Sequence, residues 1–145
     1  MEIGKFLMLG IITDDIDKSI SCFEHLGFHG WEVIHFNSDQ IPDVTINRKP
    51  GQLAFIGATF RSETINIELL QPLSDGLFMD FLNEHGPGIH HLEFEPGPSY
   101  SVFMKEYTDA GHDILMDVDL LGGKAGFAYL NTRELLGFNL EFHKD

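Results

Sequence analysis

The pattern of apolar and polar positions in the first half of the chain predicts one strand, one helix and three further strands. An apolar run over 6–13 has strand length and ends at Thr13-Asp14-Asp15, a sequence typical of a helix start. Gly27 is placed to end the helix that follows. Three further strands are predicted at 31–36, 51–60 and 64–71, and a polar excursion over 37–50 separates the first two.

The second half of the chain repeats this order after a short connecting helix predicted at 76–85. A glycine-proline turn opens into a strand at 89–95, and Ser99 is placed to cap a helix that ends before Gly111. The remaining strands are predicted at 113–118, 126–131 and 138–143, with glycines marking the turns between them.

Spacing and sequence both indicate that the two halves are copies of one unit. Met8 precedes Gly27 by 19 positions, and His91 precedes Gly111 by 20. The last predicted strand of each half carries a glutamate two places after an asparagine, between large apolar residues: Ile65-Asn66-Ile67-Glu68-Leu69 and Phe138-Asn139-Leu140-Glu141-Phe142. In each strand the asparagine and glutamate share one face. A duplicated βαβββ unit is the most economical interpretation.

Two adjacent histidines open the second repeat. Neighbours on a strand point to opposite faces, so His91 shares a polar face with Glu93 and Glu95, whereas His90 shares an apolar face with Leu92 and Phe94. His91 is therefore the candidate functional histidine, and His90 is expected to pack in the core.

Charge narrows the classes of partner. The formal net charge is −14, and the nine lysines and arginines are scattered along the chain. Nucleic acid is excluded as a partner because its binding needs a basic face. Cationic ligands would be attracted at long range, and polyanionic ligands repelled.

Cysteine content and hydropathy indicate the compartment. Cys22 is the single cysteine, which excludes an internal disulfide and favours a reducing compartment; in its helical pattern it is expected to be buried. The sequence shows neither a secretion signal nor an apolar run of membrane-spanning length. We therefore expect a cytoplasmic protein with no membrane partner.

Three stretches, together with the order of the elements, resemble the vicinal oxygen chelate superfamily, which includes glyoxalase I, methylmalonyl-CoA epimerase, extradiol dioxygenases and bleomycin-resistance proteins. The stretches are 10–20, 67–73 and 81–91. The resemblance implies an α+β fold in which two tandem βαβββ modules form an open, cup-shaped mixed sheet with helices outside. It implies one domain over 1–145, with modules at about 4–73 and 86–145 joined by a short helix at 76–85. The family's habit also implies a homodimer.

The resemblance further implies a divalent metal held by residues of the first and last strands of both modules. Carried over by position, the ligands fall on Met8, Glu68, His91 and Glu141. The last three suit zinc, nickel, cobalt, manganese or iron (Zn, Ni, Co, Mn or Fe). Met8 is the departure, because a thioether is a poor ligand for these metals, and it is expected to pack as a hydrophobe.

The residues at these positions separate the activities of the family. One histidine does not suffice for the two-histidine, one-carboxylate iron site, which disfavours an extradiol dioxygenase. The stretch 51–60, where epimerases carry a carboxylate base, has no acidic residue, which disfavours an epimerase. Glyoxalase-type chemistry on a small oxygenated substrate needs a metal and a glutamate that moves a proton, roles that Glu68 and Glu141 could fill. We expect a lyase or isomerase of this type.

Two questions stay open at the level of sequence. A metal-free protein that sequesters a ligand, as bleomycin-resistance proteins do, is the alternative, favoured by the acidity of the chain and by the missing first ligand. His143 shares a face with Asn139 and Glu141, so it could complete the coordination or act as an acid-base group. The simpler interpretation, which we favour, is that it belongs to a frayed C-terminal strand.

Overall fold

The computed structural model describes residues 1–144, which form ten β-strands and four α-helices. The strands are β1 Glu2–Ile12, β2 Glu32–Asn37, β3 Thr45–Ile46, β4 Lys49–Pro50, β5 Ala54–Phe60, β6 Ile67–Pro72, β7 Gly88–Gly97, β8 Ile114–Leu120, β9 Ala125–Leu130 and β10 Asn139–Lys144. The helices are α1 Ile16–His25, α2 Leu77–His85, α3 Tyr100–Asp109 and α4 Arg133–Leu136. This mixed content confirms the predicted α+β class.

The two longest helices begin at side-chain caps that lie within the predicted helix starts. The carboxylate of Asp15 accepts a hydrogen bond from the backbone N–H of Lys18, and the hydroxyl of Ser99 accepts one from that of Val102. Each cap satisfies a backbone donor that the first helical turn leaves without a partner.

Among the described residues, no helix combines the length and apolar character needed to cross a membrane.

The chain divides into two compact units. The N-terminal unit comprises residues 8–38 and 52–90, and the C-terminal unit comprises residues 1–7, 39–51 and 91–144. Strands β1 and β7 each contribute residues to both units.

In the N-terminal unit the strands lie in the order β2-β5-β6-β1. Strand β1 runs parallel to β6, with Leu9 opposite Ile67, and the other pairs are antiparallel. Helix α1 packs against this sheet through Ile16, which contacts the buried Ala58 and Leu69.

The C-terminal unit has the same order in its second module, β7-β10-β9-β8. Strand β7 is parallel to β10, with His91 opposite Asn139, and the other pairs are antiparallel. Helix α3 buries an aromatic face against β9 and β10, through a cluster of Phe103, Met104, Tyr107, Ala128, Leu130 and Phe142. Both modules thus place the first strand beside the last, which confirms the predicted duplicated βαβββ unit.

The polar excursion between the second and third predicted strands contains a hairpin that the sequence pattern did not predict. Strands β3 and β4 pair through a two-residue turn in which Asn47 and Arg48 have φ values of 53° and 67°. Positive φ at both central residues is typical of a type I′ turn. Strand β3 also pairs with β8, with Thr45 opposite Asp119, so the excursion extends the sheet of the C-terminal unit.

One burial prediction is wrong. Cys22 was expected to be a small buried hydrophobe, but it is exposed on α1. The helix buries only Ile16 fully, and Cys22 lies six positions further along, on the outer side.

Candidate functional site

Strand register brings the candidate residues of the second module together. Strands β7 and β10 are parallel, with His91 opposite Asn139 and Glu93 opposite Glu141. All four side chains are buried, with 0%, 3%, 7% and 3% of the residue surface exposed, in that order. Polar side chains this deeply buried need hydrogen-bond or ion-pair partners to offset the loss of hydration.

The first module has the same register with different chemistry. Leu9 lies opposite Ile67 and Gly10 opposite Glu68, as Leu92 lies opposite Leu140 and Glu93 opposite Glu141. One step earlier, Met8 therefore occupies the position that His91 occupies in the second module. Register thus sets Met8 and Glu68 of the first module at the positions of His91 and Glu141 in the second.

The carboxylate of Glu141 lies between two histidines. Its Oε2 is 3.2 Å from Nε2 of His91, and its Oε1 is 3.0 Å from Nε2 of His143. Tyr129, which is 2% exposed, also hydrogen bonds to this carboxylate. Glu141 is thus held from three directions by side chains of β7, β9 and β10.

These neighbours keep Glu141 ionised. Burial acts to raise the pKa of its carboxyl, because a buried charge loses its hydration. The charge of His91 and the hydrogen bonds from His143 and Tyr129 outweigh burial and hold the pKa below its usual value. The carboxylate is therefore available at neutral pH as a ligand or as a base.

Aromatic rings pack beside both imidazoles, and the contact is closer at the buried His91 than at the exposed His143. The ring of Tyr129 meets the ring of His91 edge-on, with centroids 4.9 Å apart, and also packs against Phe127 at 5.8 Å. The ring of Phe127 lies 5.9 Å from that of His143. A side chain that is already held in one orientation loses less conformational entropy when it binds a metal or a substrate.

The expectation that His143 lies in a frayed strand end is wrong. His143 pairs with Phe127 in the antiparallel ladder between β10 and β9, and β10 continues to Lys144. Lys144 itself is anchored by Asp117 and Asp119 of β8. The side chain of His143 is 56% exposed, whereas the Glu141 side chain beside it is 4% exposed.

Glu93 is the functional candidate that the sequence did not single out. Its Oε1 lies 3.6 Å from Nε2 of His143, and its side chain is 9% exposed. Strand parity had placed it on the face of His91. Only the register between β7 and β10, which parity cannot give, sets it opposite Glu141.

The remaining predicted residues lie in the N-terminal unit. Glu68 is half-buried on β6, opposite Thr59 of β5 and Gly10 of β1. Met8 is 9% exposed, as expected for a packing residue. The structure thus brings His91 and Glu141 into contact within the C-terminal unit, and it places Glu68 on the equivalent strand of the N-terminal unit.

His90 packs in the core, as predicted. It is 1% exposed and meets two rings of α2 edge-on, with centroids 5.7 Å from Phe78 and 5.0 Å from Phe81. This apolar environment separates it from the polar face that carries His91.

The donor set around Glu141 fits a divalent metal. Two ligand atoms that share a metal at about 2.1 Å lie about 3.0–3.4 Å apart when the angle between them is about 90–110°. The contacts of 3.2 Å and 3.0 Å from Glu141 to His91 and His143 fall within that range. Imidazole nitrogen with carboxylate oxygen suits zinc, nickel, cobalt, manganese or iron.

Comparison with solved structures shows the fold. A variant of methylmalonyl-CoA epimerase from Streptomyces coelicolor, in complex with 2-nitronate-propionyl-CoA, matches with a TM-score of 0.67 at 18% identity over 99% of both chains. Methylmalonyl-CoA epimerase from Mycobacterium tuberculosis matches with a TM-score of 0.63 at 17% identity, over 96% of this chain and 86% of that one. A hypothetical protein from Bacillus halodurans C-125 matches with a TM-score of 0.63 at 23% identity, over 97% of this chain and 94% of that one.

The epimerases are similar to this chain in fold, which is that of the vicinal oxygen chelate proteins. At these identities the likeness extends no further than the fold. None of the curated protein sequences compared with the chain matches it significantly. The family model of the glyoxalase/bleomycin resistance protein/dioxygenase superfamily matches residues 9–128. Because that match covers most of the chain, the protein belongs to the glyoxalase/bleomycin resistance protein/dioxygenase superfamily.

Proposed function

We propose that this protein is a divalent-metal-dependent lyase or isomerase of the glyoxalase type, acting on a small oxygenated substrate. The observation that supports this most directly is the buried contact of 3.2 Å between Nε2 of His91 and Oε2 of Glu141. Burying an imidazole and a carboxylate side by side is costly, and buried polar groups of this kind cluster at functional sites. Holding a metal is a role that an apolar pair of the same size could not perform.

The proposed ligands are Glu68, His91 and Glu141. The last two are the contacting pair, and Glu68 occupies in β6 the register position that Glu141 occupies in β10. Three protein ligands with an open fourth position are sufficient for a catalytic metal. Met8, at the fourth position of the family pattern, contributes packing.

Glu141 and Glu68 are the proposed proton carriers. A bound metal would act as a Lewis acid that polarises adjacent substrate oxygens and so acidifies a neighbouring C–H. The carboxylate of Glu141 would accept that proton, and the imidazole of His143 is at hydrogen-bond distance from the same carboxylate. Tyr129 restrains the carboxylate that would accept the proton.

The side chains of β5 favour glyoxalase-type chemistry over epimerisation. That strand, Ala54–Phe60, has the sequence Ala-Phe-Ile-Gly-Ala-Thr-Phe, with no group able to remove a proton at neutral pH. The net charge of −14 also opposes binding of a polyphosphate such as coenzyme A.

A metal-free binding protein of the bleomycin-resistance type is the second candidate. Met8 at a ligand position and the net charge of −14 favour it, because an acidic protein attracts a cationic ligand. In that case His91 and Glu141 would form a buried ion pair without a metal.

We further propose that residues 1–145 form a single domain and that the protein acts as a cytoplasmic homodimer.

Metal content decides between the two candidates. Protein purified without a histidine tag is analysed by mass spectrometry, with His91→Ala as the test variant and His29→Ala, a change at an exposed loop histidine, as its control. We expect near-stoichiometric zinc, nickel, cobalt, manganese or iron in the wild type and control, lost in His91→Ala. Hemithioacetals of 2-oxoaldehydes and small thioesters are then screened as substrates.

A wild type that holds no metal and shows no thermal shift with added divalent cations would end the metalloenzyme proposal. Cationic and aromatic compounds would then be tested as ligands by thermal shift, with Glu141→Gln as the comparison. A ligand that stabilises the wild type and fails to stabilise this variant would support the sequestration function.

A further inference from the structure

The C-terminal unit contains a second group of metal-ligating side chains that the family pattern does not assign. Glu93, Glu141 and His143 each offer a ligand atom, and these atoms all lie within 4.8 Å of one another. Two of the three side chains are buried, and the third is exposed at the end of β10.

We propose that Glu93, Glu141 and His143 form a divalent-cation site contained entirely in the C-terminal unit. The site shares Glu141 with the proposed function but requires neither Glu68 nor turnover of a substrate. Besides the shared Glu141, the site uses two further side chains of the second module, Glu93 and His143.

The distances around Nε2 of His143 fit a shared cation. This nitrogen lies 3.0 Å from Oε1 of Glu141 and 3.6 Å from Oε1 of Glu93. Ligand atoms at about 2.1 Å from one metal are separated by about 3.0–3.4 Å. The first contact is already at that separation, and the second requires a movement of a few tenths of an ångström, which the exposed side chain of His143 permits.

Charge and access also favour a cation at this position. Two carboxylates held this close together resist being ionised at the same time, and a divalent cation between them would offset their repulsion. The side chain of His143 is 56% exposed whereas those of Glu93 and Glu141 are 9% and 4% exposed, so a cation can enter from solvent past the imidazole.

Chemistry selects the class of cation. An imidazole with two carboxylates suits first-row transition metals and zinc, whereas magnesium and calcium take oxygen ligands. Register distinguishes the two modules at this position. Gly10 stands in β1 where Glu93 stands in β7, so the first module has no carboxylate at that position.

The test is a calorimetric titration of the full chain with zinc. Each ligand variant is compared with a control variant that carries the same substitution elsewhere. His143→Gln and Glu93→Gln remove one ligand each. His29→Gln and Glu95→Gln are the controls, at an exposed loop histidine and at an exposed glutamate two positions along β7. We expect the two ligand variants to lose zinc affinity roughly 10- to 100-fold or more, and the controls to match the wild type.

A measurement on the wild type guards against variants that fail to fold. Protein labelled with ¹⁵N-histidine is titrated with zinc, and the imidazole signals of His143 are assigned by their absence from His143→Gln. We expect those signals to move in step with zinc binding. Calcium in excess should neither move them nor compete with zinc.

The outcomes separate this site from the proposed function. If His143→Gln and Glu93→Gln bind zinc like the controls and the signals of His143 stay fixed, the site is overturned, and loss of affinity in His91→Ala or Glu68→Gln still supports the proposed ligand set. If His143→Gln and Glu93→Gln lose zinc affinity while His91→Ala and Glu68→Gln bind zinc like the controls, the site stands and the ligand set of the proposed function fails. A wild type that binds no zinc overturns both.

Discussion

At the scale of single residues, the two adjacent histidines of β7 lie in different chemical environments. His90 is surrounded by phenylalanine rings of α2, and His91 contacts a carboxylate and a tyrosine. The alternation of side chains along a strand produces this separation within one peptide unit. The pair therefore offers an internal comparison of a packing histidine with a functional one.

Replacing each of these histidines with leucine should separate packing from metal binding. His91→Leu removes a proposed ligand, so zinc affinity should fall roughly 10-fold or more, whereas His90→Leu should leave it within about 2-fold of the wild type. Titration calorimetry measures both affinities, and circular dichroism checks that each variant is folded. Equal losses in the two variants would contradict the assignment of His91.

The hydroxyl of Tyr129 offers a second test at this scale. Tyr129→Phe keeps the ring but removes a hydrogen bond to the buried Glu141 carboxylate. We expect the free energy of unfolding to fall by about 1.5–3 kcal/mol, because a buried ionised acceptor loses a donor. Urea denaturation at pH 7 measures this change.

The same variant should change the response to acid. The folded-state pKa of Glu141 is lowered, so its contribution to stability is present above the unfolded-state pKa and is lost as pH falls through the folded-state pKa. Tyr129→Phe removes one cause of the lowering, so the pKa rises and the loss begins at higher pH.

Tyr107→Phe is the matched control for the acid response. The Tyr107 hydroxyl donates to the uncharged backbone carbonyl of Asp113 at 2.7 Å. This change should cost about 0.5–1.5 kcal/mol without moving the acid midpoint. Circular dichroism measures acid unfolding of both variants. Identical acid midpoints would show that Tyr129 does not support the charge of Glu141.

At the scale of elements, the two modules keep one architecture while their chemistry has diverged. Both have a first strand parallel to the last, and each last strand carries an asparagine and a glutamate in equivalent register. The second module adds His91 and Glu93 where the first has Met8 and Gly10. The contacts between ionisable side chains described above, from Glu141 to His91 and from His143 to both glutamates, therefore all lie in the second module.

The elements also show what sequence can and cannot predict. Periodicity, caps and glycines are local signals, and they placed the two cap residues, the main strands and the polar faces of Glu68, His91 and Glu141. Long-range pairing leaves no such signal. Glu93 was missed because its place opposite Glu141 is set by register. The hairpin β3–β4 was missed because its partner strand, β8, lies about 70 residues away, as the bond from the Asp117 N–H to Asn47 shows.

The type I′ turn of that hairpin allows a stabilising change. Arg48 has a φ of 67°, which costs a residue with a Cβ about 1–2 kcal/mol, and part of this is offset because glycine is more flexible in the unfolded chain. Arg48→Gly should therefore raise the free energy of unfolding by about 0.5–1 kcal/mol. Urea denaturation measures the gain.

Arg61→Gly is the control for this prediction. Arg61 also lies in an exposed turn between strands, but its φ is not positive, so glycine relieves no strain there. It should lower stability slightly through the unfolded-state entropy. A loss of stability in Arg48→Gly as large as that in Arg61→Gly would show that the turn is not strained.

At the scale of the whole molecule, the dominant feature is its net charge of −14, with 23 acidic residues against nine lysines and arginines. Part of the positive charge is engaged locally. Lys144 lies between Asp117 and Asp119, and these carboxylates hold the pKa of its ammonium above the usual value although burial acts to lower it. The remaining acidic side chains repel one another across the surface, and this repulsion destabilises the compact state.

Monovalent salt should therefore stabilise the protein. Between about 0.01 M and 0.1 M salt the Debye length falls from about 30 Å to about 10 Å, which screens repulsion between separated carboxylates more than attraction within close ion pairs. We expect the melting temperature to rise by about 2–4 °C, which corresponds to a gain of about 1 kcal/mol in the free energy of unfolding. Sodium chloride and choline chloride should act alike, because screening does not depend on the identity of the cation.

A variant with four fewer surface charges provides the control for screening. Asp14→Asn, Glu24→Gln, Glu32→Gln and Glu63→Gln change exposed side chains only. The combined variant should respond less to salt than the wild type, since less repulsion remains to be screened. An equal response in both proteins, or a melting temperature that falls with salt, would mean that ion pairs rather than net charge control stability. Zinc at matched ionic strength should raise the melting temperature further, because a bound cation stabilises by mass action in addition to screening.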